Sequence, residues 1–390
     1  MGQAMDENDL RYEVCLQIVR RGYDGETCWV APRAGTVPGA GQDGHPAVVM
    51  TVQKLLLSGV DVFSGLHDMR TDDLGRTWSG PTAHPELGRR REAGGVEAVP
   101  AGFWPAWHAV SGKLLGIGHV ARYRGNRLLP EPRPRQTSYS VYDAQTHRWT
   151  PWQTLDMPDA ERFFNCGAGS SQRVDLPDGT ILLPVYFRSR QECLNRRPYA
   201  TTVLRCAFDG RTLSYQGHGD VLSVASGRGL YEPSLTRFQG RWFLTMRHDQ
   251  CGYVASGDDG LHFHPPRPWT FDDGADLGNY NTQQHWVTHA HALFLVYTRR
   301  GAGNDHVFRH RAPLFIGRVD PDRLCVVRAS ERVLVPERGA RLGNFGVTTV
   351  NRDETWVTVA EWMQPPGCER YGSDNRVYAA RIRWSRPNVV

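Results

Sequence analysis

The sequence predicts an all-β chain, and three observations predict it. Of 390 residues, 41 are Gly and 25 are Pro, a density of turn formers that interrupts any long helix every few residues. The apolar segments are short, alternating and rich in Val, Phe, Tyr and Trp, as in 47–57 (AVVMTVQKLLL), 180–187 (TILLPVYF), 241–249 (RWFLTMRHD), 292–300 (ALFLVYTRR) and 355–362 (TWVTVAEW). Turns such as Pro177-Asp178-Gly179, Asp209-Gly210 and Gln239-Gly240 bound them, which is the pattern of hairpins and not the 3.6-residue period of helices. A hydrophobic content of 40% supplies a packed core and excludes a disordered chain.

A repeat organises these strands. Thr71-Asp72-Asp73-Leu74-Gly75-Arg76-Thr77-Trp78 and Ser256-Gly257-Asp258-Asp259-Gly260-Leu261-His262-Phe263 share the pattern Ser/Thr-x-Asp-x-Gly-x-x-aromatic, each after a strand. Asp binds turn amides, Gly takes the positive φ, and the aromatic plugs the sheet below. The pattern resembles the Asp-box of the sialidase-type propellers. Degenerate versions fall at Tyr142-Asp143…Trp149, Asp209-Gly210…Tyr215, Asp320-Pro321-Asp322…Val326 and the terminal Arg381–Trp384, giving markers roughly one propeller blade apart. The expected architecture is therefore one β-propeller over residues 1–390, of six four-stranded antiparallel blades. The strand Tyr12–Val19 is expected to complete the last blade and close the ring. A seventh blade within the 71-residue interval between Trp78 and Trp149 is the alternative.

Composition narrows the function classes. The net charge of +5 is too small to imply nucleic-acid binding, although 44 of the 46 basic residues are Arg, Lys54 and Lys113 being the exceptions. Arg makes fixed bidentate contacts with carboxylates, so the bias is consistent with an acidic ligand as well as with codon usage. No run approaches the roughly 18 uncharged apolar residues of a membrane helix. The start, MGQAMDENDL, lacks the basic and apolar regions of a signal peptide, so a cytoplasmic protein is expected, or a secreted or periplasmic one if a leader has been removed. The eight cysteines show no C-x-x-C spacing and read as reduced, mostly buried thiols, with no metal and no cofactor indicated.

A propeller presents the polar residues of its inner strands and loops around a central channel. The candidates are Arg33 and Asp61 in blade one, His108 and His119 in blade two, and Tyr186 and Arg205 in blade three. Glu232 and Arg247 follow in blade four, Gln284, His285, Arg299 and Arg311 in blade five, and Asn344 in blade six. The run Asn281–His285 places five consecutive polar side chains at a strand start, where they bury poorly without partners. Cationic and hydrogen-bonding groups from every blade point to an anionic ligand, with Trp104, Trp107 and Trp286 as candidate stacking platforms for sugar rings.

Two family resemblances add roles. Blades one and four resemble the sialidase superfamily: Arg33, Asp61 and the first Asp-box follow the family order of arginine, acid/base aspartate and box, while Glu232, Arg247 and the second box follow that of its later blade. Arg311, or alternatively Arg309, corresponds to a third carboxylate-binding arginine. The family's Tyr nucleophile is expected where Leu342-Gly343-Asn344-Phe345-Gly346 stands, and Phe345 has no hydroxyl. The chain is also similar, through Pro105-Ala106-Trp107-His108, Gly118-His119, Asn281–Trp286 and Asn304–Leu314, to the ulvan lyases and the related rhamnosidase and rhamnose–glucuronate lyase propellers, usually seven-bladed. By order along the chain this resemblance implies His108 or His119 as base, Tyr186 as acid or base, and Arg205 with Arg247 as carboxylate clamps.

The function expected is cleavage of a glycosidic linkage in an acidic, uronate-containing oligo- or polysaccharide, first by lyase β-elimination. A sialidase-like or rhamnosidase-like hydrolase and a non-catalytic glycan-binding propeller are the alternatives.

Overall fold

The computed structural model describes residues 10–389; residues 1–9, on which the expectation about a leader rests, lie outside the described residues. The chain forms six antiparallel sheets, each a propeller blade. Blade one pairs Thr27–Val37, Ala47–Leu56, Phe63–Thr71 and Ser79–Ala83 in sequence order. Blade two is built on the long hairpin Val96–His108 and Lys113–Arg124, followed by Thr137–Asp143 and Arg148–Trp149. Blade three runs Asn165–Gly167, Ile181–Arg188, Ala200–Phe208 and Leu213–His218, and blade four Tyr231–Phe238, Arg241–Arg247, Tyr253–Gly257 and Arg267–Pro268. Blade five runs His285–His289, Ala292–Tyr297, Leu314–Asp320 and Cys325–Val326. In blade six, Phe345–Thr349, Glu354–Ala360 and Val377–Trp384 are completed by Tyr12–Arg20, which pairs antiparallel with Val377–Trp384. The N-terminal strand thus closes the ring as the sequence predicts. The interval between Trp78 and Trp149 holds one sheet enlarged by short accessory strands, and no separate seventh sheet occurs among the described residues.

Twisted sheets stacked around an axis must bury both faces, and the core is partitioned accordingly. Six apolar clusters fill six successive interfaces: blades one and two around Phe103 and Trp149, two and three around Ile117 and Phe187, and three and four around Leu182 and Trp242. Blades four and five meet at Trp269 and Trp286, five and six at Phe294 and Phe345, and six and one at Trp356 and Met50. No edge is left between first and last blade.

The outer hairpins carry the repeat. Asp143, Asp209, Asp259 and Asp320 each accept two backbone amides, two and three residues ahead, in the turn after the third strand of blades two to five. In blade one, Asp73 accepts from the Thr77 amide at 2.9 Å and from its hydroxyl at 2.6 Å, Gly75 adopts φ +82°, and Trp78 packs against Trp356. The second box is shifted by one residue: Asp259, not Asp258, binds the turn.

The inner strands share a different device. Positive φ occurs at Ala31, Gly102, Ser170 and Glu232, where blades one to four approach the axis, and the ladder register shifts at three of these points, between Val30 and Arg33, Ala101 and Trp104, and Tyr231 and Ser234. A bulge re-aims the side chains that follow it. All four of these residues line the same cleft.

Candidate active site

At this end of the channel lies a cleft of about 960 Å³. Its floor comes from the bulged inner strands and its walls from the loops between second and third strands. Eleven arginines line it against three carboxylates, Asp61, Glu131 and Glu232, so the basin is strongly cationic although the whole chain is nearly balanced.

Of the residues predicted from sequence, His119, Tyr186, Asp61, Glu232, Arg247, Arg311 and Asn344 line this cleft. Arg33 and His285 lie directly beneath, fully buried. Arg33 Nη2 donates to Ser170 Oγ at 2.8 Å and to Gln283 Oε1 at 2.9 Å, while its Nε and Nη1 have no partner among the described residues. Burial lowers its pKa to about 10, and no carboxylate pairs with it among the described residues. His285 is wedged between Trp104 and Phe345 and hydrogen bonds through Nδ1 to Ser234 Oγ at 2.7 Å, which makes it a core histidine kept neutral by burial. Phe345 is therefore committed to packing, and Asn344 is the residue of that segment that reaches the cleft.

Four predicted residues stand elsewhere. His108 ends its strand six residues beyond Gly102, roughly 20 Å further along an extended chain. There it caps a turn, with Nδ1 at 2.8 Å from Ser111 Oγ and Nε2 at 2.9 Å from the Gly179 carbonyl. Arg205 alternates with buried Leu204 and Cys206 and faces solvent, away from any carboxylate-binding position. Arg299 is held by Glu331 through contacts of 2.8 and 2.6 Å and braces the loop of blade five. Gln284 accepts from Thr245 and donates to the Thr282 carbonyl between blades four and five. The run Asn281–His285 is thus polar because the channel floor needs matched partners, and only Gln283 of its last three residues opens to the cleft. The predicted platforms Trp104 and Trp286 are buried between blades, and Trp107 lies toward the far end of the strand; the aromatic walls are Phe63, Tyr186, Tyr199, Tyr231, Phe308 and Trp362.

Sequence reading missed Arg135, Tyr199 and Arg341. Arg135 sits in the Pro-rich loop after the second strand of blade two, and its guanidinium lies 4.9 Å from the Tyr186 ring and 5.7 Å from that of Tyr199 without an ion pair among the described residues. The signal was positional: this loop is the counterpart of the one that carries Asp61. Tyr199 follows the capped turn Arg190–Leu194, in which Ser189 Oγ accepts from the Glu192 amide and the Glu192 carboxylate accepts from the Ser189 amide.

His119, Arg135 and Tyr186 form one constellation. Gly167 is flanked by both His119 and Arg135, and a Cβ on Gly169 would come within 1.6 Å of His119 Nδ1, so these glycines let the imidazole seat. Burial, then the guanidinium groups of Arg135, Arg133 and Arg33, hold His119 well below the ordinary histidine value. Burial pushes the Tyr186 hydroxyl up. The pair is thus a neutral base and a protonated phenol at neutral pH. Beside them, Arg247 donates to Glu232 at 2.6 Å and to Asn281 at 2.7 Å. Burial raises the Glu232 carboxyl, but Arg247, Arg311 and Arg228 outweigh it and leave it below its usual value. Positive φ at Asp61, Glu232, Asn281 and Arg309 concentrates backbone strain around the same cleft, a pattern associated with functional sites.

The fold is that of the sialidase-like β-propellers. A protein of unknown function from Dyadobacter fermentans DSM 18053 matches at 14% identity with a TM-score of 0.65, covering 96% of this chain and 99% of its own. The Trypanosoma rangeli sialidase matches at 13% identity with a TM-score of 0.62, over 94% of this chain and 59% of its own. The Hadza microbial sialidase Hz136 matches at 13% identity with a TM-score of 0.61, over 91% of this chain and 66% of its own. The chain spans about two thirds or less of those two sialidases. No family model matches it, and no curated protein does.

Proposed function

We propose that this propeller cleaves a glycosidic linkage in an acidic, uronate-containing glycan by β-elimination. The observation that carries the reading is the convergence of a neutral imidazole, a protonated phenol and a guanidinium without an ion pair among the described residues, in His119, Tyr186 and Arg135, on one side of one cationic cleft. The proton at C5 of a uronate is too weakly acidic for direct removal. Arg135, with the buried charge of Arg33 behind it, neutralises the carboxylate and stabilises the enediolate that develops as C5–H breaks. His119 takes that proton; the electron pair forms the C4–C5 double bond as the C4–O bond breaks, and Tyr186 protonates the departing oxygen. The lowered proton affinity of His119 leaves its imidazole unprotonated at neutral pH, and the raised one of Tyr186 leaves its hydroxyl protonated when the C4–O bond begins to break. Glu232 and Arg247 orient the sugar from the opposite wall.

Hydrolysis is the second reading, favoured by Asp61, Glu232, Arg247 and Arg311 in the order and on the blades expected of sialidase relatives. Asn344 stands against it where a Tyr nucleophile is required. Incubation with uronate-rich polysaccharide discriminates: ultraviolet absorbance of a 4,5-unsaturated uronate supports elimination, reducing ends without absorbance mean hydrolysis, and binding without either means a lectin.

A further inference from the structure

Three arginines on the side of the cleft formed by blades five and six lack any carboxylate partner among the described residues. Arg311 is 4% exposed, gives its Nη2 to the Asn281 carbonyl and leaves Nε buried without a partner. Arg341, 7% exposed, is stacked 4.5 Å from the Trp362 ring and 5.1 Å from Phe308; it gives Nη2 to Gln364 Oε1 at 3.2 Å and also leaves Nε unpartnered. Arg309 is exposed beside them at φ +58°. Burial lowers the proton affinity of all three, and nearby guanidinium groups lower it further: Arg247 and Arg228 at Arg309, Arg247, Arg341 and Arg309 at Arg311, and Arg309 at Arg341, where the charge of Asp61 acts the other way. Like charges held together in a partly dehydrated wall are costly unless an anion joins them.

These residues come from the loop after the second strand of blade five and from the segment entering blade six. His119, Arg135 and Tyr186 come from blades two and three, across the ring, with Glu232 of blade four to one side. We infer that Arg309, Arg311 and Arg341 form a second anion subsite facing the reacting centre, and that the substrate is an acidic oligosaccharide with a further carboxylate or sulfate ester on a sugar neighbouring the one that reacts. This deepens the proposed function and rests on its reading of the cleft as an acidic-glycan site.

Calorimetric titration of the full chain tests it with two probe pairs: galacturonate against digalacturonate, and the unsulfated against the monosulfated chondroitin disaccharide. At least one two-anion sugar is expected to bind about tenfold or more tightly than its one-anion counterpart, the size of one charge-assisted contact. Preference confined to the first pair identifies a carboxylate, and confined to the second a sulfate. That ratio is expected to fall toward one in Arg309→Gln, whose exposed side chain leaves the fold untouched, or in Arg341→Gln. Ratios near one for both pairs, a preference surviving in both variants, or no binding by any of the four sugars would overturn the subsite. Cleavage of uronate glycan by a protein with ratios near one leaves the proposed function standing while removing this inference.

Discussion

Arg247 donates a 2.6 Å hydrogen bond to Glu232 and a 2.7 Å bond to Asn281, so the Glu232 carboxylate on the cleft floor is clamped rather than free. Removing its charge leaves Arg247 buried without compensation. Glu232→Gln is expected to lower stability by about 1–3 kcal/mol in chemical denaturation at neutral pH. Because the folded pKa lies below the unfolded value of 4.5, the contribution is present above pH 4.5 and is lost as pH falls through the folded value. The gap between wild type and variant should therefore close in acid; a gap that persists there contradicts the assignment.

His119→Ala and Tyr186→Phe are each expected to lower kcat about 10²-fold or more, the usual worth of a general base or acid. His108→Ala should lower the melting temperature, through loss of its turn cap, with kcat retained. Since the folded His119 stays neutral well below pH 6.5, the acidic limb of the kcat/KM profile should fall below that value. A limb near 6.5, or a kcat loss in the His108 variant equal to that of His119, would count against His119 as base.

Gly169→Ala introduces a methyl group where His119 Nδ1 lies, 1.6 Å from the new Cβ. The ring must swing away, so kcat should drop by about tenfold or more while far-ultraviolet dichroism keeps the β signature. Wild-type kcat in this variant would show that the imidazole position is immaterial.

The two excluded arginines separate by stability. Arg299→Ala strands Glu331, which Tyr297 and Arg299 both contact, and should cost about 1–3 kcal/mol. Arg205→Ala, on the solvent face, should stay within about 0.5 kcal/mol and leave KM unchanged. A raised KM in the Arg205 variant would restore it to the site.

The ring was legible because its signals are local. Asp143, Asp209 and Asp320 mark hairpins through bonds to amides two and three residues ahead, and Trp78 and Trp149 plug their sheets within a few residues of those turns. The cleft was half legible. Glu232 and Arg247 lie on adjacent strands of one hairpin, Glu232 one residue past the ladder partner of Arg247, so their spacing reveals the pair. Arg135 was invisible because it sits in a loop that reads only as Pro-rich connection, while its partners, Tyr186 and Tyr199, lie a blade away. His108 misled because Pro-Ala-Trp-His does not say at which end of a strand the side chain emerges. Arg205 misled because order along the chain ignores the alternation that turns it outward.

The central claim, elimination rather than hydrolysis, is tested most directly by mass spectrometry of the products from a defined uronate-containing oligosaccharide. Elimination predicts two fragments whose masses sum to that of the substrate, with the absorbing double bond at the new non-reducing end of the fragment that keeps the original reducing end. Fragments summing to the substrate plus one water would contradict it.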